Sequence, residues 1–162
     1  MSLLTWLELL SYLVTAIGLP LAIFVFVYEQ RRQRENEDEA LYQSLADQYD
    51  AFLRLILEHA DLGLSGRYTP NANLTVEQRE RKHLIFEVLV ALFERAYIML
   101  YDARMTRHER RLWSSWEDYV RTWCRREDFR DTLPFILEGE DDDFARYITA
   151  IARKEAAASE ET

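Results

Sequence analysis

The sequence contains a single cysteine, Cys124, four glycines, three prolines and only two lysines, Lys82 and Lys154. One cysteine excludes an intrachain disulfide and a cysteine-based zinc site. It suits a reducing compartment without requiring one. So few glycines leave little backbone for a phosphate-cradling loop. No Gly-x-Ser-x-Gly, no His-Glu-x-x-His and no Cys–His pair within one helix is present. Basic residues are absent before Arg31, and almost all positive charge is arginine. This bias fits a GC-rich coding sequence, with arginine's bidentate contacts to carboxylate and phosphate as the secondary reading. The net charge is -9. An acidic chain argues against non-specific nucleic-acid binding, which needs a basic face to displace counterions. Neither a strand pattern nor an internal repeat is present.

The chain does have a long apolar run. Leu9 to Tyr28, LLSYLVTAIGLPLAIFVFVY, holds no charged side chain. As a helix it would be about 30 Å long, the thickness of a bilayer's hydrocarbon core. Trp6 and Tyr12 stand near one end and Tyr28 at the other, as interfacial aromatics do. Leu9, Leu13, Ile17, Pro20, Phe24 and Tyr28 mark the expected anchor, with a bend at Pro20, which frees the carbonyl of Ala16. A secretory signal peptide would need a basic start, a shorter apolar run and a small-x-small cleavage site. A buried core helix would show an amphipathic period, which this stretch lacks.

Arg31, Arg32 and Arg34 follow directly. The positive-inside rule then places the N-terminus outside and the remainder in the cytoplasm. The expectation is a single-pass protein of the cell (inner) membrane: residues 1–30 the transmembrane anchor, 31–40 a charged juxtamembrane helix or linker, 41–154 a cytosolic bundle and 155–162 a flexible tail. The expected fold is all-α, one transmembrane helix followed by an antiparallel bundle of about four helices.

Within the bundle, Leu41, Leu45, Tyr49, Phe52, Ile56 and Ala60 recur at helical spacing. Gly63 and Gly66 end that helix, and GLSGRYTPNANL reads as a loop. Thr75 to Gln78 and Thr106 to Glu109 match the capping box. The helix opened by the first runs to about Arg104. Its nearly all-apolar centre, interrupted by Glu87, Glu94 and Arg95, predicts the buried central helix. Pro134 predicts a turn followed by a short helix from about Thr132. The acidic run from Glu138 to Asp143 lacks the alternating ligands and glycine of a calcium loop and reads as a helix start.

The helix after Thr106 carries Leu112, Trp113, Trp116, Val120, Trp123 and Cys124 on one face and arginines on the other. The main reading is a core face. A sharper one makes Arg107, Arg110, Trp113 and Trp123 a docking surface for a partner or for lipid. Glu80-x-x-His83 has the spacing of a di-iron ligand motif, but a second copy is missing, so no metal, cofactor or catalytic residue is assigned. Glu87 and Glu94 are expected to pair with arginines rather than to act as acids or bases.

The anchor, the segment EQRRQRENEDEALYQ, Phe-Glu-Arg-Ala-Tyr at 93–97 and Trp-x-x-Trp at 113–116 together resemble short bacterial single-anchor membrane proteins of unknown function. The resemblance is one of layout over much of the chain, and it implies no chemistry. The functional expectation is a membrane-anchored, non-enzymatic interaction or regulatory protein, an accessory subunit of a membrane complex, with the membrane and a protein as partners. A membrane-permeabilising effector whose anchor oligomerises is the alternative, and an enzyme using Glu87 and Glu94 is the third.

Overall fold

The computed structural model describes residues 3–64 and 73–160, and within the first helix the side chains at 6, 12, 16–30, 32–33 and from 39 onward. Those residues form helices and turns only. Helix α1 spans Leu3–Glu58 and is followed by a 3₁₀ turn, Ala60–Leu62; α2 is Val76–Leu100, α3 Arg107–Cys124, α4 Glu127–Ile136 and α5 Asp142–Glu160. The chain divides into two compact units, residues 1–44 and residues 45–162.

The first unit is helical throughout from Leu3, with no break at Pro20. Its described apolar side chains as far as Tyr28 are exposed, among them Ile17, Leu19, Phe24, Phe26 and Tyr28. The expected transmembrane anchor is corrected here, and with it the single-pass inner-membrane placement. Among the described residues no helix is long and apolar enough to cross a membrane. The described stretch from Ala16 to Tyr28 is exposed throughout. Beyond it the same helix continues into Glu29, Gln30 and Arg32, all exposed. The side chains of Leu9, Leu13, Arg31 and Arg34 lie outside the described residues.

The second unit holds the core. Leu45, Tyr49, Phe52 and Ile56 of α1 are buried at the spacing read from the sequence. Gly63, at φ 67°, ends the 3₁₀ turn in the left-handed region, where a side chain is disfavoured. Most of the loop that follows it lies outside the described residues. Both capping boxes form. Thr75 Oγ1 accepts from the Gln78 amide at 3.2 Å while Gln78 Oε1 accepts from the Thr75 amide at 2.9 Å. Thr106 and Glu109 do the same at 3.3 and 2.6 Å. Asp141 caps α5, its Oδ1 accepting from the amides of Asp143 and Phe144 at 3.0 and 2.9 Å.

Two expectations for helices shift. Helix α2 buries one face (Ile85, Phe86, Leu89, Val90, Phe93 and Ala96) and exposes Leu84, Val88, Ile98 and Met99. It is a one-sided wall, not a helix buried all round. Helix α4 runs through Pro134 without the expected turn. The proline sits in its last turn, where the missing donor costs one hydrogen bond and the helix ends soon after.

At the junction of α2, α4 and the end of α1 stands a buried ionic knot. Arg126 donates from Nε to Asp128 Oδ1 at 3.0 Å and from Nη2 to Asp128 Oδ2 at 2.7 Å. It also reaches the carbonyls of Gly63 and Leu64, each at 3.3 Å. Lys82 Nζ meets Asp128 Oδ2 at 2.5 Å. Burial pushes the Asp128 carboxyl up, but the hydrogen bonds and charges of Arg126 and Lys82 outweigh it and hold the group below the usual carboxylate range. Replacing Asp128 by Ala leaves two buried cations facing each other. Asp128→Ala should therefore lower the urea-unfolding free energy by about 3–5 kcal/mol, and a loss below 1 kcal/mol, about what an exposed pair contributes, would contradict this account.

Candidate functional site

Helix α3 was the first candidate. Its apolar face is core: Trp113 is 3% exposed and Trp123 6%. Trp123 Nε1 donates to Tyr49 Oη of α1 at 3.2 Å, and its ring meets Phe52 and Phe86 edge-on at 5.6 and 6.2 Å. Trp113 packs against Tyr97, Tyr101 and Tyr147 with ring centroids 5.4 to 5.9 Å apart. Cys124 is buried beside them on α3, and burial, reinforced by the charge of Glu155, pushes its thiol up to about 12.

The arginine face is divided. Arg121 and Arg125 bridge to Glu155 of α5 at 3.5 and 3.0 Å, and Arg121 also pairs with Glu117 at 2.5 Å. Arg107 and Arg110 are exposed. The structure therefore spends the two tryptophans on the core and leaves the two arginines at the surface. A docking surface combining all four is not what the fold presents.

The carboxylates of α2 have partners, though not the expected arginines. Glu87 Oε1 lies 3.2 Å from His83 Nε2 one turn earlier, and Glu94 Oε1 accepts from the Asp141 amide at 2.5 Å. Among the described residues no group of His, Cys, Asp and Glu is placed to hold a metal ion. Glu94 also meets Glu140. Hydrogen bonding to Glu94, then burial and the charge of Glu94, push the Glu140 carboxyl up to about 7.

What sequence reading missed is a groove between α1 and α2, both within the second unit. It has a volume of about 470 Å³ and is lined by Gln48, Ala51 and Leu55 of α1 and by Val88, Ala91 and Arg95 of α2, with Phe52 and Leu92 at its floor. Leu84, at 57% exposure, and Val88, at 51%, lie four apart on α2, and Ile98 lies on the same face beyond Ala91 and Arg95. On α1, Leu53 and Leu57 are exposed as well. Arg95 Nη1 donates to Gln48 Oε1 across the groove. The signal was present in the sequence as an apolar helix with no polar side. It was read as burial because a single helix cannot show which of its apolar faces finds a neighbour.

Two predictions follow from this geometry. Trp123→Ala should cost about 3–5 kcal/mol in urea unfolding, whereas Arg110→Ala should stay within about 0.5 kcal/mol; equal losses would contradict the division of α3 into core and surface. The second concerns pH. Glu140's carboxyl is raised in the folded chain above its ordinary value, so its contribution to stability is full below the ordinary carboxylate range and is lost as pH rises through about 7. Urea midpoints measured from about pH 5 to about pH 8 should fall, and Glu140→Gln should flatten that slope; an unchanged slope in the variant would remove Glu140 as its source. No family model, curated protein or solved structure matches this chain.

Proposed function

We propose that this chain is a non-enzymatic interaction protein, and that the α1–α2 groove with the apolar stripe of α2 is where a protein partner binds. The observation that carries the reading is the uncovered stripe Leu84, Val88 and Ile98 beside a preformed apolar groove. A helix of this size ordinarily turns such residues inward, and contiguous apolar surface rimmed by polar groups marks an interaction site. The groove suits the apolar face of an amphipathic helix laid along it, reading anchors at helical spacing. Arg95 at its rim favours a partner carrying an acidic side chain there.

Supporting the non-enzymatic part, Glu87 and Glu94 are already engaged by His83 and by the Asp141 amide. Cys124 is a buried thiol, not a thiolate. The apolar residues exposed in the first unit, Phe24 and Phe26 among them, offer further surface of the same kind. The acidic net charge of -9 fits a protein partner better than a nucleic acid.

The test is in-cell crosslinking and co-purification of the full chain beside a variant with Val88→Glu and Ile98→Glu. Both positions are exposed, so helicity and unfolding midpoint should be retained. Capture of the wild type's protein partner should fall about tenfold or more, as expected when a charge replaces a central apolar anchor. Unchanged capture by a folded variant, or lipid alone on the wild type, would overturn the proposal.

A further inference from the structure

A second cavity lies on the far side of the buried knot, with a volume of about 320 Å³. Lys82 and Phe86 of α2 and Asp128 of α4 line it, as do Arg79, His83, Asp131 and Thr132. Lys82 is 9% exposed and Arg126, behind it, 7%.

The charges around Asp128 do not balance. Arg126 forms a bidentate pair with it and gives its remaining donors to two backbone carbonyls. That pair is neutral by itself. Lys82 then adds a second cation to a carboxylate already matched. Its ammonium has three donors; Asp128 Oδ2 takes one, and the Phe86 ring lies 5.7 Å from the same nitrogen. A buried ammonium with an incomplete set of acceptors, sharing its counter-charge with a guanidinium, is costly unless something completes both.

The other charges lining the cavity set the valence. Arg79 and Asp131 cancel, and His83 is engaged by Glu87. With Arg126 behind the wall counted, three described cations (Arg79, Lys82 and Arg126) stand against two carboxylates (Asp128 and Asp131), leaving one net positive charge. The walls next to it, Phe86 and Leu74, are apolar, and Thr132 adds a hydroxyl. A cavity of this size is at the lower end of small-ligand sites, which combine apolar walls with one or a few fixed polar groups.

We propose that this cavity binds a small monocarboxylate with an apolar body, the carboxylate on Lys82 Nζ and the body against Phe86 and Leu74. A dianion is disfavoured because Asp131 and Asp128 line the same cavity. The assignment is independent of the α1–α2 groove, from which it shares no lining residue.

Benzoate is the probe, with benzamide as its neutral counterpart, inorganic phosphate as the dianion and chloride to match ionic strength. Titration calorimetry on the full chain should show saturable benzoate binding, with benzamide and phosphate each weaker by about tenfold or more. Lys82→Met keeps the Arg126–Asp128 pair and the side chain's length, so it should fold, and it should lose benzoate affinity by about tenfold or more. Amide shifts on the wild type should move at Phe86 and Thr132, a reading that stands even if the variant fails to fold. Absence of saturable binding, equal binding of benzamide or phosphate, undiminished binding to a folded Lys82→Met, or shifts confined elsewhere would each overturn the proposal.

Discussion

The carboxylate of Asp128 is the group on which the helical arrangement of the second unit turns. It belongs to the first turn of α4, yet its two oxygens collect Lys82 from α2 and Arg126 from the α3–α4 junction. Arg126 in turn holds the carbonyls of Gly63 and Leu64 just after the 3₁₀ turn. One acidic side chain, with Arg126 two residues before it, thus ties together three regions that are distant in sequence. Hydrophobic burial drives collapse without specifying direction. A buried ionic group adds a directional requirement, because any packing that separates these partners strands a charge. Around it the aromatic core can be permissive. Phe86 contacts both Trp123 and Phe129 edge-on, at 6.2 and 5.2 Å, and these contacts close over the knot.

The parts of this fold legible in the sequence are those decided within a few residues. Thr75 and Gln78, and Thr106 and Glu109, find each other because three positions of helix place them there, whatever the tertiary structure. Gly63 ends its helical segment for an equally local reason, its positive φ. The periodic core of α1 from Leu45 to Ile56 was legible because polar residues alternate with it and fix the inward face.

The parts that were misread depend on neighbours. Leu84, Val88 and Ile98 are apolar like Ile85, Leu89 and Phe93, and Arg95 on the exposed face is only a weak local signal between the two. For Trp113 and Trp123 the main reading, a core face, agrees with their burial, and the partners that bury them, Tyr49 and Tyr147, are far away in sequence. Lys82 stands in the sequence as one of only two lysines, with no sign of burial. Its burial required Asp128, dozens of positions later, to be folded beside it. The apolar run at the start of the chain was read as a membrane span, and among the described residues no helix is long and apolar enough to cross a membrane.

The same logic bears on where function can reside. A face whose residues satisfy one another has no free energy left to offer a ligand. Helix α3 around Trp123 is such a face: Trp123 is packed and hydrogen-bonded, and Arg121 and Arg125 are held by Glu155. The acidic start of α5 is another, since Asp141 is spent on the helix's own amides. By contrast, the α1–α2 groove leaves apolar surface in water, and the cavity beside Lys82 leaves donors and a charge incompletely matched. These are different deficits, one of burial and one of charge. Apolar area is satisfied only by a large, extended partner, because each square ångström covered contributes about 25 cal/mol. A buried ammonium can be satisfied by a single small anion. On this argument these two places call for ligands of different size and chemistry, and occupancy of one does not require occupancy of the other.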